Sequence, residues 1–160
     1  MVLWRISNYA DLKGVGGLRA PGRWHVAGRP VVYLAEHPAG ALLETLVHQE
    51  IQSSADLPDT YRLLRVAVGD RLAIAELSES ALPENWREDA PYTQSAGSEW
   101  LEGGSTALLK VPSAVMPFSY NYILNPVHAD VVGIKIETVI DVRHDPRILR
   151  LLTRPRGDNR

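Results

Sequence analysis

The chain has 160 residues, of which 45% are apolar and 22% charged, a composition typical of a folded globular protein and not of a disordered one. This length favours one compact domain. The formal net charge of −2 excludes the basic surplus that general nucleic-acid-binding proteins carry.

The first half of the chain contains three predicted strands and one predicted helix. Residues 2–7 form a short strand, and residues 30–35 form a second one by their β-branched and aromatic content. Pro38 suits the first turn of a helix, and apolar residues then recur at helical spacing, so we expect a helix from about Pro38 to about Gln52. Apolar and polar residues alternate over 61–68 sufficiently to predict the third strand.

The second half is predicted to contain further strands separated by a long loop. Residues 72–77 are expected to be extended, whereas residues 78–99, rich in Ser, Pro, Glu and Asn, predict a loop with short helical turns. A short helix near 98–103 leads to a buried strand at 107–111. A polar-aromatic segment at 120–126 has the composition of a loop, and a strand at 131–142 ends the regular structure.

These elements predict a single α+β domain, with mixed or antiparallel strands around one main helix. No internal repeat and no linker long enough to separate two domains is present in the sequence.

The residue types that are missing also limit the function. The chain has no cysteine, so a disulfide framework and a thiolate metal site are excluded, and a reducing compartment is favoured. We expect no metal, because the histidines lack metal-ligand spacing. Neither a signal segment nor an apolar run of roughly 20 residues is visible, so we expect a cytoplasmic protein with no membrane contact. The histidines lie at positions 25, 37, 48, 128 and 144.

Three polar residues are candidates for chemistry. Arg23 lies beside Gly22, where a guanidinium fork and accessible backbone N–H groups suit an anion, although a solvated loop arginine is the favoured interpretation of this residue taken alone. Glu44 lies on or beside the buried face of the predicted helix, where a carboxylate needs a partner or a purpose; a structural salt bridge is the alternative. Ser113 follows a buried strand without the context of a hydrolase nucleophile, and it could simply cap a turn.

Two further residues could contribute to a site. Tyr33, in the strand before the helix, is either a core aromatic or a platform on which a flat ring stacks. Asn121 lies in the polar-aromatic segment.

Taken together, and in order along the chain, these segments resemble the RES-domain family, which is named for an arginine, a glutamate and a serine. The long segment containing VPSAV and NYILNPVH is the most specific part of the resemblance. The matching stretches are WRI (4–6), GRW followed by Gly (22–28), PVVYLAE (30–36), ALLETLVH (41–48), LPDTY (57–61), TQSAGSEW (93–100), VPSAVMPFSYNYILNPVHAD (111–130) and DPR (145–147).

The resemblance implies a fold related to ADP-ribosyltransferase toxins over residues 1–150, with residues 151–160 as a basic C-terminal tail. It also implies the toxin of a bacterial RES–Xre type toxin–antitoxin pair. A helical Xre-type antitoxin is then the partner, and DNA is contacted only through that antitoxin. NAD⁺ is implied as the substrate, with no other cofactor and no metal.

The resemblance also assigns site residues. Arg23, Glu44 and Ser113 match the three residues that name the family and are expected to be catalytic. Arg5, Tyr33 and Asn121 match further pocket positions and are expected to bind NAD⁺.

The chemistry of these residue types agrees with NAD⁺ cleavage. Breaking the nicotinamide–ribose bond passes through an oxocarbenium-like state, which a carboxylate such as Glu44 can stabilise. Arg23 and Arg5 are expected to hold the diphosphate. Tyr33 would stack on a ring, while Ser113 and Asn121 would orient the ribose or the carboxamide.

Three functions remain open at this point. The first is a toxin that consumes NAD⁺ by hydrolysis or phosphorolysis, and the second is a protein ADP-ribosyltransferase, which needs the same donor site. The third is a catalytically inactive corepressor module. The six arginines from Arg143 onward could touch DNA or an acidic partner, but a disordered tail is the simpler expectation.

Overall fold

The computed structural model describes residues 1–48 and 59–152, and in these ranges seven strands form one sheet accompanied by four α-helices and two short 3-10 helices. The strands are β1 (Val2–Ile6), β2 (Val32–Ala35), β3 (Thr60–Val68), β4 (Ile74–Glu76), β5 (Leu108–Pro112), β6 (Tyr120–Leu124) and β7 (Ile134–Arg143). The helices are α1 (Gly16–Arg19), α2 (Pro38–His48), α3 (Ala90–Gly103) and α4 (Pro146–Leu152).

The sheet has the strand order β4-β5-β6-β2-β1-β3-β7. The pair β4–β5 is parallel, and the remaining neighbours are antiparallel. This mixed sheet confirms the predicted α+β class. Helix α2 packs against β1 and β2 in the middle of the sheet, which places its polar residues beside the central strands.

Two buried clusters cover the two faces of the sheet. In β6, Tyr122 and Leu124 belong to one cluster and Ile123 to the other, as expected because successive strand residues point to opposite faces. Trp24 and Trp86 pack in the cluster that contains Ile123, with ring centroids 5.8 Å apart. The loop that carries Arg23 is therefore anchored to the sheet by the adjacent Trp24.

Most of the predicted strands are confirmed. The strands expected at 2–7, 30–35, 61–68 and 107–111 are present with small shifts at their ends, and the extended segment at 72–77 is the three-residue β4. The main helix begins at Pro38 as predicted and is described as far as His48; its expected extension to Gln52 lies outside the described residues.

Helix α3 corrects the prediction of a loop over residues 78–99. It has 14 residues, begins at Ala90 and is longer than the helix predicted near 98–103. The side chain of Asp89 accepts the Tyr92 N–H at 2.9 Å, and Pro91 lies in the first turn; both are helix-start signals. The buried face consists of Thr93, Gly97 and Leu101. Because two of these residues are small, the apolar periodicity is weak and the sequence pattern missed the helix.

Two other predictions were wrong. The segment at 120–126 has the composition of a loop, but its first five residues form β6, which lies inside the sheet between β5 and β2. Its tyrosines and isoleucine are typical strand residues. Regular structure also continues beyond residue 142, since α4 follows β7. The tail expected over 151–160 therefore starts within α4, and residues 153–160 lie outside the described residues.

The contact between α3 and the Trp24 loop gives a test of the fold. A Cβ atom on Gly97 would lie 1.9 Å from the main-chain oxygen of Trp24, so Gly97→Ala should lower the free energy of unfolding by about 2 kcal/mol or more. Gly103→Ala, in the same helix, meets open space and should be neutral or stabilising by up to about 1 kcal/mol. Urea denaturation of both variants measures the difference; equal stabilities would refute the close approach.

Candidate functional site

A cavity of about 670 Å³ opens beside α2, β1, β2 and the loop around Arg23. Five of the six residues predicted for the site line it, and Ser113 lies directly behind one of them. The lining residues from the prediction are Arg5, Arg23, Tyr33, Glu44 and Asn121.

The carboxylate of Glu44 is the centre of the site. Its Oε1 atom accepts a hydrogen bond from Ser113 Oγ and a second from Asn121 Nδ2, both at 2.7 Å. The Oε2 atom lies 3.4 Å from His48 Nε2, one helical turn further along α2. The side chain is only 18% exposed. Glu44 therefore lies on the partly buried face of the helix, as predicted, with serine, asparagine and histidine as its partners.

These partners decide the charge of Glu44. Burial alone would raise its pKa, but hydrogen bonds from His48, Ser113 and Asn121 outweigh the burial, and the pKa of Glu44 is lowered. Hydrogen bonds to the charged form of a carboxyl group favour that form. The site therefore contains an ionised carboxylate at neutral pH.

The hydroxyl of Ser113 is fully occupied. It donates to Glu44 and accepts the N–H groups of Val115 and Met116, at 3.1 and 3.0 Å. A hydroxyl has one proton and two lone pairs, so each is used within the protein. Ser113 is 3% exposed and is arranged to hold Glu44 and the following turn. This geometry agrees with a positioning group and not with a nucleophile.

The guanidinium of Arg23 is tethered on one side. Its Nη2 atom donates to the main-chain oxygens of Trp86, at 2.6 Å, and of Arg87. Burial lowers the pKa of Arg23, while Glu88, Asp89 and Glu44 oppose that shift. The tether fixes the direction of the fork, so the remaining N–H groups have a defined orientation at the cavity.

Two buried guanidinium N–H groups at the cavity lack partners. The Nε atoms of Arg5 and Arg23 are buried and donate to no acceptor in the part of the chain that the structure describes. Burial lowers the pKa of Arg5, an effect that Asp11 opposes. An unpaired buried donor carries a free-energy cost that an anion in the cavity would remove.

Tyr33 has a more specific role in the structure than either role predicted for it. Its hydroxyl oxygen accepts the Trp24 N–H at 3.0 Å and lies 2.8 Å from His25 Nδ1. Burial raises the pKa of Tyr33, against the effect of the Trp24 N–H, so the phenol remains protonated. Its ring lines the cavity, and stacking on a substrate ring stays a prediction.

Three ionisable residues of the lining were not assigned from the sequence: His25, His48 and Arg87. His48 is four residues after Glu44, so the helical spacing could have identified it, but the histidines were considered only as metal ligands. Arg87 belongs to the segment predicted as a loop. Its guanidinium lies 4.5 Å from the centre of the Trp86 ring and pairs with Glu79, and no sequence signal indicated this.

The described residues contain neither a metal-ligand cluster nor a membrane-spanning helix. Within 1–48 and 59–152, no group of three or more His, Cys, Asp or Glu side chains is placed to hold a metal ion. In the same ranges no helix is long and apolar enough to cross a membrane.

The fold and the site define a class of protein. The structure resembles the crystal structure of the M. tuberculosis MbcT-MbcA toxin-antitoxin complex with a TM-score of 0.73 and 19% sequence identity, covering 94% of this chain and 87% of that chain. This similarity shows a shared fold. The family model of the RES domain matches residues 2–149 of the sequence, and the chain therefore belongs to the RES-domain family.

Relatives with established names agree with this membership. A Pseudomonas putida protein named "Toxin Res" is 49% identical over 148 residues, which are 92% of this chain and 99% of that protein. A Sphingobium protein named "Prs ADP-ribosylating toxin" is 38% identical over 157 residues, covering 92% of this chain and 96% of that protein. The resemblance identified from the sequence motifs is confirmed.

The hydrogen bonds to Glu44 predict a measurable change in its pKa. Asn121→Ala removes one donor to Oε1, so the pKa of Glu44 should rise. A lowered folded-state pKa stabilises the protein above the unfolded-state value, and this contribution is lost as the pH falls through the folded-state value; the variant should lose part of it. NMR titration of the side-chain carboxyl carbons measures the pKa. Asn85→Ala, at an exposed position, is the control, and an unchanged Glu44 titration in Asn121→Ala would contradict the assignment.

Proposed function

We propose that this protein is the toxin of a toxin–antitoxin pair and that it consumes NAD⁺ by cleaving the nicotinamide–ribose bond. The observation that carries the proposal is the Glu44 carboxylate, ionised and held by Ser113 and Asn121, in a cavity that arginines also line. The family membership and the toxin names of the relatives support it.

The charges of the cavity complement those of NAD⁺. Among the described residues, the charged side chains of the lining are three arginines and one glutamate. A diphosphate suits the guanidinium groups, and the unpaired Nε atoms of Arg5 and Arg23 offer donors to it. Glu44 is then free to interact with the ribose that bears the positively charged nicotinamide.

The reaction requires little from the protein besides orientation and electrostatics. The bond between ribose C1′ and the nicotinamide nitrogen breaks, and its electron pair leaves with nicotinamide. Positive charge develops on the ribose in the transition state, as in glycoside hydrolysis, and the fixed Glu44 carboxylate stabilises it. The acceptor oxygen then bonds to C1′ and loses its proton. Ser113 and Asn121 keep the carboxylate in place, and no further cofactor or metal takes part.

The acceptor can be water or phosphate, which is our leading proposal, or a protein side chain. The name of the Sphingobium relative, an ADP-ribosylating toxin at 38% identity, favours protein ADP-ribosylation as the second candidate. Both reactions use the same donor site, so the residues described above serve either one.

The proposal includes a partner and a location. The structural neighbour is a toxin-antitoxin complex, and we propose that a helical Xre-type antitoxin binds this chain and limits access to its cavity, with DNA contacted only through that antitoxin. The proposed substrate places the activity in the cytoplasm. Purified complex that consumes NAD⁺ at the full rate of the free protein would count against occlusion of the cavity.

The central prediction concerns Glu44. Glu44→Gln keeps the size of the side chain but removes its charge, so nicotinamide release from NAD⁺ should fall by about 10²-fold or more, and inhibition of cell growth should be lost. Nicotinamide release is followed by chromatography, and growth by induced expression. Glu102→Gln alters an exposed carboxylate and should retain both activities. Unchanged toxicity of Glu44→Gln and Glu44→Ala would instead support the inactive corepressor.

The acceptor is identified by following the ADP-ribose group. Purified protein incubated with radiolabelled NAD⁺ and a cell lysate should produce free ADP-ribose, or ADP-ribose 1″-phosphate when phosphate is present. If label appears on a lysate protein instead, and does so only with active enzyme, then the second candidate replaces the first.

A further inference from the structure

The main chain on both sides of Arg23 is hydrogen-bonded to two side chains, those of His25 and Tyr33. The N–H of Trp24 donates to Tyr33 Oη at 3.0 Å, and the N–H of Gly22 lies 3.1 Å from His25 Nδ1 while also donating to the His25 main-chain oxygen at 3.0 Å. Tyr33 Oη and His25 Nδ1 are themselves 2.8 Å apart. One linked pair of side chains therefore binds the main chain on both sides of Arg23.

The directions of these hydrogen bonds fix the state of the imidazole. Tyr33 Oη accepts from Trp24, so its proton is free to donate to His25 Nδ1, which also faces the Gly22 N–H. Because the Gly22 N–H points at Nδ1, this nitrogen acts as an acceptor and carries no proton, and the Tyr33 hydroxyl is then the donor in the 2.8 Å hydrogen bond. Burial lowers the pKa of His25, and the main-chain oxygens of Ala20 and Gly17 oppose the shift. The ring is 3% exposed and neutral at neutral pH.

The main chain at Gly22 packs closely against the pair. A Cβ atom on Gly22 would lie 2.5 Å from Tyr33 Oη and 2.9 Å from His25 Nδ1. On the opposite side, Gln94 of α3 donates to the Gly22 main-chain oxygen at 2.9 Å. The backbone at Gly22 thus lies between the side-chain pair and α3 with no room for another side chain.

We propose that the neutral His25–Tyr33 pair, which we term the Arg23 clamp, is a positioning device that sets the affinity of the cavity for the diphosphate of NAD⁺. The inference rests on the proposed function, since it assumes that Arg23 binds that diphosphate. Tyr33 acts in the clamp through its hydroxyl, and His25 acts through Nδ1 without touching the substrate. Protonation of Nδ1 would replace the acceptor with an N–H group that faces the Gly22 N–H and the Tyr33 hydroxyl, and the loop would be released.

The clamp predicts a specific order among substitutions at His25. His25→Leu removes the acceptor, so the Kd for ADP-ribose should rise about tenfold or more. His25→Asn places Oδ1 at the same number of bonds from Cα as Nδ1, so it should keep the Kd within about threefold of wild type. Isothermal titration calorimetry with ADP-ribose measures both. His128→Leu is the matched control, because His128 Nδ1 also accepts a main-chain N–H but does not line the cavity.

A pH series separates positioning from a purely structural role. The groups that face His25 are Tyr33 from β2, the Gly17 oxygen of α1 and the oxygen of Ala20, which follows α1, and the charged Arg23 lies two residues earlier in the chain. Because the pKa of His25 is lowered, wild-type affinity for ADP-ribose should fall in the acidic range in which His25 gains a proton, whereas His25→Asn should lack this part of the decline. Glu44 and His48 also line the cavity and remain in both proteins, so the difference between the two profiles reports His25.

A second variant keeps the test decisive if His25→Leu does not fold. Tyr33→Phe retains the ring and removes the hydroxyl link, and it should also weaken ADP-ribose binding about tenfold. Wild-type protein that binds no ADP-ribose and releases no nicotinamide would refute the proposed function. Wild-type protein that binds ADP-ribose, with folded His25→Leu or Tyr33→Phe binding it equally well, would overturn the clamp alone.

Discussion

The junction at Glu44 Oε1 is the interaction on which the site depends. It joins three separate elements, since Glu44 belongs to α2, Ser113 follows β5 and Asn121 lies in β6. Without donors, burial would raise the pKa of this carboxylate. With both donors present the carboxylate stays charged, and it also ties the helix to two neighbouring strands. Stability and chemistry therefore rely on the same hydrogen bonds.

The arginines are placed by a different principle. The Nη2 atom of Arg23 donates to the main-chain oxygens of Trp86 and Arg87. The Nε atoms of Arg23 and Arg5 are buried and have no hydrogen-bond partner among the described residues. Such donors cost free energy in the folded protein. A protein that retains this cost at a cavity holds its donors ready for an anion, and reorganises little when the anion binds. The Glu44 carboxylate thus has its hydrogen-bond partners before any ligand binds. The Nε–H groups of Arg5 and Arg23 would gain partners only when an anion binds.

The sequence predicted the site more fully than it predicted the elements that support it. Glu44 could be found from helical spacing, and motif order connected it with Arg23 and Ser113. Helix α3 was missed because Thr93 and Gly97 make its buried face small. Strand β6 was missed because Asn121 gives it a polar residue that faces the cavity. The contacts of Trp86 and Arg87 with Arg23 join residues more than 60 positions apart, and no local pattern encodes such a contact.

The preformed carboxylate also bears on how such an activity is controlled. Because the Glu44 hydrogen bonds are complete within the chain, no rearrangement at Glu44 is needed before a substrate binds. A carboxylate in this state needs no assembly step, so control has to act on access to the cavity. A partner protein that covers the cavity entrance would meet this requirement directly, since it would block the opening to any substrate and leave the folded site intact for release.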